Sequence, residues 1–219
     1  LNINGGILSI ASDNILGTGT NTLAFGGGTL ELSSAFSTAR NITLNSGGGT
    51  ILASGAGTST ISGTISGGNG ITFDASGGNI TASGIISGTG TSVTKTGANT
   101  LTLNNASSSY TGATNINAGT LSTATLADSS TNSPLGAGTI INISGGGILS
   151  YTGATSSNNR PFAIGSGGGT ITATNGAATL TLTGGISGGG NALTFNTNTG
   201  NITVNSVISG TGTSLTKNG

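Results

Sequence analysis

The sequence predicts an all-β protein built as a parallel β-helix, in which short strands stack coil upon coil. Three observations support this fold class. Apolar positions recur every 20 to 22 residues, short runs alternate apolar with small polar residues, and glycine clusters separate the runs. Strands repeating at this interval with Gly-rich turns are typical of solenoids rather than of antiparallel sandwiches. At this spacing the 219 residues form about ten coils.

The predicted strands are three to five residues long and have one buried face. The alternation is clearest at residues 41–44 (Asn-Ile-Thr-Leu) and at residues 100–103 and 179–182, which both read Thr-Leu-Thr-Leu. A period of two places every second side chain on the same face of a strand. Because stacked strands lie about 4.8 Å apart, we expect equivalent Leu, Ile and Val residues of neighbouring coils to form a thin continuous core.

The turns between strands are expected to depend on glycine, of which the chain has 44. Gly adopts positive φ at little cost and leaves room where neighbouring coils approach closely. We therefore predict that Val at Gly48 or Gly168 is more damaging than a change at an outward Thr. No α-helix is predicted, since Gly and β-branched residues dominate and no apolar stripe of period 3.6 is found.

A longer unit also occurs twice. Residues 2–4 match residues 115–117 at an offset of 113, and later matches pair Arg40 with Arg160 and Lys95 with Lys217 at offsets of 120 and 122. We expect residues 1–113 to form one unit and residues 114–219 a second, truncated one, within a continuous solenoid cut from a longer array. Residues 128–134 hold most of a six-residue insertion and are predicted to form a surface excursion.

The composition excludes several classes of protein. Four basic residues balance four acidic ones, and only two Tyr and five Phe are present, so no basic, base-stacking surface for nucleic acid is expected. The chain has no Cys for disulfides or thiolate metal sites. No apolar run approaches the roughly 20 residues of a transmembrane helix, and no signal peptide is recognisable at the N-terminus, so a secreted protein would carry its targeting segment outside this sequence.

The sequence contains few residues that could act in catalysis. Without His or Cys the common nucleophile dyads are impossible. Glu31 and Asp74, two coils apart, are the candidate carboxylate pair for glycoside cleavage, but Ser150 and Asn196 occupy their positions in the second unit. We therefore interpret the acids as isolated surface residues and predict no catalytic, cofactor-binding or metal-binding residue. Calcium-binding β-roll and phosphate-binding loop patterns are also missing.

Two pairs of cations occupy equivalent places in the two units, Arg40 with Arg160 and Lys95 with Lys217. They could mark a ligand groove that repeats along the rod or a recurring structural contact at a corner. All four adjoin turns, which favours the structural interpretation.

Residues 93–121 resemble the autotransporter-associated β-strand repeat, the passenger-associated transport repeat of bacterial autotransporters. The similar phrases are residues 93–97 (Val-Thr-Lys-Thr-Gly), 100–103, 110–114 (Tyr-Thr-Gly-Ala-Thr) and 116–121 (Ile-Asn-Ala-Gly-Thr-Leu). The resemblance implies a right-handed parallel β-helix in a large surface or secreted protein of a Gram-negative bacterium. It implies transport, folding and display, and no reaction.

The leading functional hypothesis is therefore a non-enzymatic extracellular repeat that acts in display, cell adhesion or self-association, with a role as a fibre subunit as one form of self-association. Its expected partners are a second copy, bound laterally or end to end, or glycans and proteins of a cell surface or matrix. The alternatives are a polysaccharide-active enzyme and an ice-binding solenoid. Ice binding requires a Thr-x-Thr pair at one position in every coil, and we expect turns and insertions to scatter the pairs at residues 100–102, 170–172 and 181–183.

Overall fold

The computed structural model describes residues 1–19, 21–197 and 199–219. In these ranges the chain forms 27 strands and one short 3₁₀ helix, Asp13–Leu16. All strand pairs are parallel. The predicted all-β parallel solenoid is confirmed, and within the described residues no α-helix is present.

The strands form four sheets that run along the rod. Sheet A contains β1 (Asn2–Ile3), β3 (Leu23–Phe25), β6 (Ile42–Leu44), β9 (Ile65–Gly67) and β12 (Ile86–Ser87). Sheet B contains β2 (Ile7–Ile10), β4 (Thr29–Leu32), β7 (Gly49–Ala53), β10 (Ile71–Asp74), β13 (Val93–Thr96), β15 (Thr114–Ile116), β17 (Ile141–Ile143), β20 (Phe162–Ile164), β23 (Ile186–Ser187) and β26 (Ile208–Ser209).

The other two sheets complete the coils. Sheet C contains β5 (Ser37–Thr38), β8 (Thr58–Ile61), β11 (Asn79–Ala82), β14 (Thr100–Leu103), β16 (Thr120–Thr123), β18 (Gly147–Tyr151), β21 (Gly169–Ala173), β24 (Ala192–Asn196) and β27 (Ser214–Asn218). Sheet D contains β19 (Ser156–Asn158), β22 (Thr179–Leu182) and β25 (Asn201–Val204). Sheet B has 10 strands, one from each coil, which matches the predicted number of coils.

The core is a set of inward columns, one residue per coil. In sheet B, Leu30 pairs with Ile51 and Ile51 with Phe73, and all three are buried. Sheet C builds a similar column from Leu101, Leu121, Leu149 and Ile171. Burying such a side chain contributes about 1.5–3 kcal/mol, so the narrow core gains its stability by repetition.

Tight corners between the strands require glycine at Gly48 and Gly168. Their φ angles are 63° and 75°, in the left-handed region. A Cβ at Gly48 would lie 2.2 Å from the carbonyl oxygen of Gly70, and one at Gly168 would lie 2.6 Å from that of Ala192. Both the conformation and the neighbouring coil therefore exclude a larger side chain, as the sequence argument expects.

Equivalent strands of the two repeat units lie in different sheets. β6 belongs to sheet A, whereas its counterpart β20 belongs to sheet B, and β7 of sheet B corresponds to β21 of sheet C. β1 opens sheet A, and its counterpart β15 is the sixth strand of sheet B. From one unit to the next, an equivalent strand therefore lies five coils further along the rod and one sheet further around it. Sequence matching alone does not show this relationship.

The insertion at residues 128–134 is only partly the surface excursion that the sequence predicts. Residues 128–132 are exposed or half-buried, but Ser133 and Pro134 are buried together with Leu135. Backbone bonds tie its end to the coil before it, since Ser133 N donates to the Ser108 carbonyl (3.1 Å). The loop folds back because a buried arginine binds its carbonyl groups, as described below.

Candidate functional site

The most regular feature of the surface is a double column of hydroxyl and amide side chains on the outside of sheet C, which we call the hydroxyl face. It spans eight of the nine strands of sheet C, from β8 to β27, and does not include β5 at the edge of the sheet. The first column contains Thr58, Asn79, Thr100, Thr120, Ile148, Thr170, Thr194 and Thr216. The second contains Thr60, Thr81, Thr102, Ser122, Ser150, Thr172, Asn196 and Asn218.

Of the Thr-x-Thr pairs named from the sequence, 100–102 and 170–172 lie in register on sheet C, whereas 181–183 begins in β22 of sheet D. Together with 58–60, three of the eight strands of the hydroxyl face place a Thr in both columns, so the pair does not occur in every coil. The loops that vary in length lie between strands, so the register within sheet C is kept. Aligning the chain in coils of about 21 residues, rather than in units of about 120, is the sequence signal that reveals this face.

The outside of sheet B is chemically different. One of its columns passes through Thr50, Thr72 and Thr94 to Asn115 and Asn142. Its amides bond to each other, with Asn142 Nδ2 donating to Asn115 Oδ1 (2.7 Å). The other column carries the acids, since Glu31 pairs with Leu52 and Leu52 with Asp74. This surface mixes charged, apolar and mutually bonded amide side chains.

The structure brings Glu31 and Asp74 into the same outward column of sheet B. Leu52 separates them, and two strand spacings put their backbones about 10 Å apart. The hydroxyls of Ser54 and Ser9 hold the pKa of the Glu31 carboxyl below its usual value. A general acid of a glycosidase requires a raised pKa, so Glu31 is shifted in the wrong direction for that role.

Arg160 is fully buried and binds backbone rather than any external ligand. Its guanidinium donates to the carbonyl oxygens of Ala127 (2.9 Å), Leu135 (2.7 Å) and Gly136 (2.6 Å). It also donates to Asp128, Thr131 and the Ser133 hydroxyl. Arg has five N–H donors and no acceptor, and these contacts use them to fill the inside of the 128–136 loop.

Arg40 performs the equivalent task in the first unit. It is also buried and donates to the carbonyl oxygens of Asp13 (3.0 Å), Gly17 (2.7 Å) and Thr18 (2.8 Å), around the 3₁₀ helix. Its Nε makes an ion pair with Asp13 Oδ1 at 2.8 Å. Partial burial alone would raise the pKa of the Asp13 carboxyl, but bonds from Arg40 and Thr38 hold it below its usual value. The geometry supports the structural interpretation of both arginines.

Lys95 lies inside the rod, at a position that packs apolar residues in other coils. It pairs with Phe73 on one side and Ile116 on the other and is fully buried. Its Nζ donates to the carbonyl oxygens of Thr96 (2.6 Å), Gly97 (2.7 Å) and Ala118 (3.2 Å). Burial lowers the pKa of this amine to about 8, although Asp74 acts in the opposite direction. Lys217 makes the same local contacts, to Asn218 and Gly219, while exposed.

In the ranges that the structure describes, no three His, Cys, Asp or Glu side chains form a group that could hold a metal ion. No helix in these ranges is long and apolar enough to cross a membrane. A groove of about 330 Å³ is lined by Ala154, Thr155, Asn175, Ala177 and Ala178, none of which is ionisable. The extended outer faces of the sheets are therefore better candidates for function than the groove.

Comparison with known proteins agrees with the resemblance seen in the sequence. Residues 93–122 match the family described as passenger-associated-transport-repeat. A stretch of 75 residues, 33% of this chain, is 45% identical to the adhesin BmaC autotransporter of Brucella suis biovar 1 (strain 1330). That stretch is 2% of the length of the adhesin. No solved structure matches the chain significantly.

The matched family segment contains β13, β14, β15 and most of β16. It therefore covers one full coil around buried Lys95, and the same coil geometry continues on both sides of it. Residues 93–122 therefore match the passenger-associated transport repeat and lie within a parallel β-solenoid.

Proposed function

We propose that this chain is a non-enzymatic adhesive segment of a large autotransporter-like protein, displayed outside the cell or on the outer membrane of a Gram-negative bacterium. The observation that carries the proposal is the 45% identity to an autotransporter adhesin over 75 residues. The partners are glycans or proteins of another cell surface or matrix. Residues 1–113 and 114–219 act as successive units of one array.

The surface chemistry supports this role. Many outward positions of sheets B and C are Thr, Ser and Asn, with interruptions such as Glu31, Leu52 and Ile148. Each such group contributes little to binding alone, but many identical weak contacts on one rigid body add up to avidity.

Adhesion is tested with fluorescent beads coated with the purified chain and incubated with epithelial cells. We expect more beads to attach than after coating with albumin, and soluble chain should compete for the attachment. Attachment equal to that of albumin beads across a panel of cell types would contradict the proposal. Beads that clump with each other without binding cells would replace cell adhesion with self-association.

The non-enzymatic part is tested separately, by measuring sugar release from a panel of polysaccharides. We expect no release above buffer. Release by the native chain that is lost in both Glu31→Gln and Asp74→Asn would overturn this part and assign a hydrolase to the outside of sheet B.

A further inference from the structure

The hydroxyl face on sheet C is a two-dimensional lattice. Neighbouring strands place equivalent residues about 4.8 Å apart, and alternate residues of one strand lie about 6.7 Å apart. Seven strand steps give the face a length of about 34 Å. Water molecules on the prism plane of hexagonal ice also repeat in two perpendicular directions, with spacings close to these two values.

The hydroxyl groups of this face are exposed or half-buried, except that of Thr172, whose residue is buried. Within the described residues, the Thr and Ser hydroxyls of both columns form no hydrogen bond to the protein. Thr is β-branched and therefore stiff at χ1, so the threonine hydroxyls are held in place by their strands. Neither column contains a charged residue whose tightly bound hydration shell would compete with an ordered water layer.

The second unit supplies an independent observation. Because the units are offset by one sheet, strands equivalent to those on the mixed outside of sheet B lie on sheet C in the second unit. There the residues at the positions of Glu31, Leu52 and Asp74 are Ser150, Thr172 and Asn196. The charged and apolar side chains are thus replaced at the positions where they would interrupt the hydroxyl face.

The hydroxyl face contains no aromatic side chain on which a ring of a ligand could stack. Most of the aromatic side chains are inside the rod, since Phe25, Phe73, Phe162, Phe195, Tyr110 and Tyr151 are buried, and Phe36 is half-buried against the core. The hydroxyl face offers rigid hydroxyl and methyl groups on a regular lattice and no stacking platform.

We propose that the hydroxyl face of sheet C binds the surface of ice. The threonine hydroxyls donate to and accept from water molecules of the crystal, and their methyl groups fill the gaps between them. This activity is additional to the proposed adhesion and does not depend on it, because cell binding and ice binding are measured separately. The Ile148 side chain in the first column is the one apolar interruption of the face.

The test uses the whole 219-residue chain during slow growth of an ice hemisphere, with thermal hysteresis as a second readout. We expect the native chain to be enriched in the ice fraction. Thr102→Lys, in the middle of the face between Thr81 and Ser122, should lose this enrichment. Thr72→Lys, between Thr50 and Thr94 on sheet B, is the matched control and should keep it.

Circular dichroism and urea midpoints establish that both variants are folded. Exclusion of the native chain from ice to the same extent as albumin would overturn the proposal. Equal loss in Thr72→Lys would also overturn it, since the effect would then not belong to sheet C. The native chain could instead form a concentration-dependent dimer without being enriched in ice. If Thr102→Lys dissociates that dimer, the hydroxyl face binds a second copy of the chain and the proposal is overturned.

Discussion

At the scale of single residues, buried arginines bind loop carbonyl groups that have no neighbouring strand to pair with. Arg160 and Arg40 are among the largest fully buried side chains. Each satisfies several carbonyl groups of a loop that cannot pair with a strand, because the coil is interrupted there. A buried charge is costly unless it is fully bonded, and here the loop carbonyls provide those bonds.

Arg160→Met tests this role. The substitution keeps most of the side-chain length but leaves the carbonyl group of Leu135 without its donor. The carbonyl groups of Ala127 and Gly136 lose one donor each and keep Asn158 and Ser133. An unsatisfied buried acceptor costs about 1–3 kcal/mol, so we expect a loss of about 1–3 kcal/mol in unfolding free energy from urea denaturation. Hydrogen exchange should accelerate first at residues 127–136.

Lys217→Met is the control for Arg160→Met, because the Lys217 amine is exposed and bonds only to the next two residues. Its unfolding free energy should stay within about 0.5 kcal/mol of the native value. If Arg160→Met were equally mild, the guanidinium would not hold the loop.

Lys95 predicts a pH dependence of stability. In the folded chain the amine loses its proton above a pKa of about 8, whereas the unfolded chain keeps it until about 10.5. Between these values the unfolded state binds more protons, so the unfolding free energy rises with pH. Below pH 8 both states are protonated, and this contribution is flat. The difference between the two pKa values corresponds to a gain of roughly 3 kcal/mol across the whole window, of which roughly 2 kcal/mol is reached by about pH 9.5.

Urea unfolding at several pH values from about 7 to 9.5 measures this effect. Lys95→Met should remove the rise and leave a flat profile. The range ends below pH 10 because burial raises the pKa of the Tyr110 hydroxyl, and its ionisation in the unfolded state would then destabilise the fold. A native profile that falls between pH 8 and 9.5 would contradict the prediction.

At the scale of elements, the corners constrain the sequence more tightly than the strands do. A side chain at an outward strand position such as Thr50 has to fit only against solvent and the neighbouring side chains of its column. Gly48, two residues earlier, combines a positive φ with a carbonyl oxygen of the next coil 2.2 Å from a Cβ position. Coil spacing is fixed by the backbone hydrogen bonds, so that oxygen cannot move away without loss of pairing.

Gly48→Val should therefore be much more destabilising than Thr50→Val. The left-handed conformation of a β-branched residue costs of order 1–3 kcal/mol, and the overlap with Gly70 adds to this. We expect a clear drop in the thermal midpoint for Gly48→Val and a change of at most a few degrees for Thr50→Val. Similar midpoints for the two variants would show that this corner tolerates a side chain.

At the scale of the whole molecule, each coil contacts only the coils before and after it. The unfolding free energy of such a solenoid is approximately the sum of a contribution from each coil and a contribution from each interface between neighbouring coils. Phe73 lies in β10 and pairs with Ile51 of β7 and Lys95 of β13. Damage at Phe73 should therefore stay local rather than spread along the rod.

Phe73→Ala tests this locality. Removing a buried Phe costs about 3–5 kcal/mol. Amide exchange should accelerate in β7, β10 and β13 and remain unchanged in β20 and β23, more than three coils away. Uniform acceleration along the chain would mean that the rod unfolds as one cooperative unit.

Much of this fold could be predicted because its signals are local. The period of two in segments such as Thr100–Leu103 defines a strand with one buried face, and the Gly clusters at 46–49 and 166–169 define corners. The number of coils follows from their spacing. Positions of the buried arginines could be located from the repeat, but their loop contacts could not, since the loops around them differ by six residues in length.

Strands, corners, coil number and the family resemblance can be derived from the amino-acid pattern, because each depends on residues within about one coil of one another. Which strands share a sheet is known only from the folded chain, since it depends on the summed length of all intervening turns and loops. The one-sheet offset between units follows from that sum. It gathers threonine pairs from both units onto sheet C. This arrangement cannot be read from the repeat of 113 to 122 residues alone.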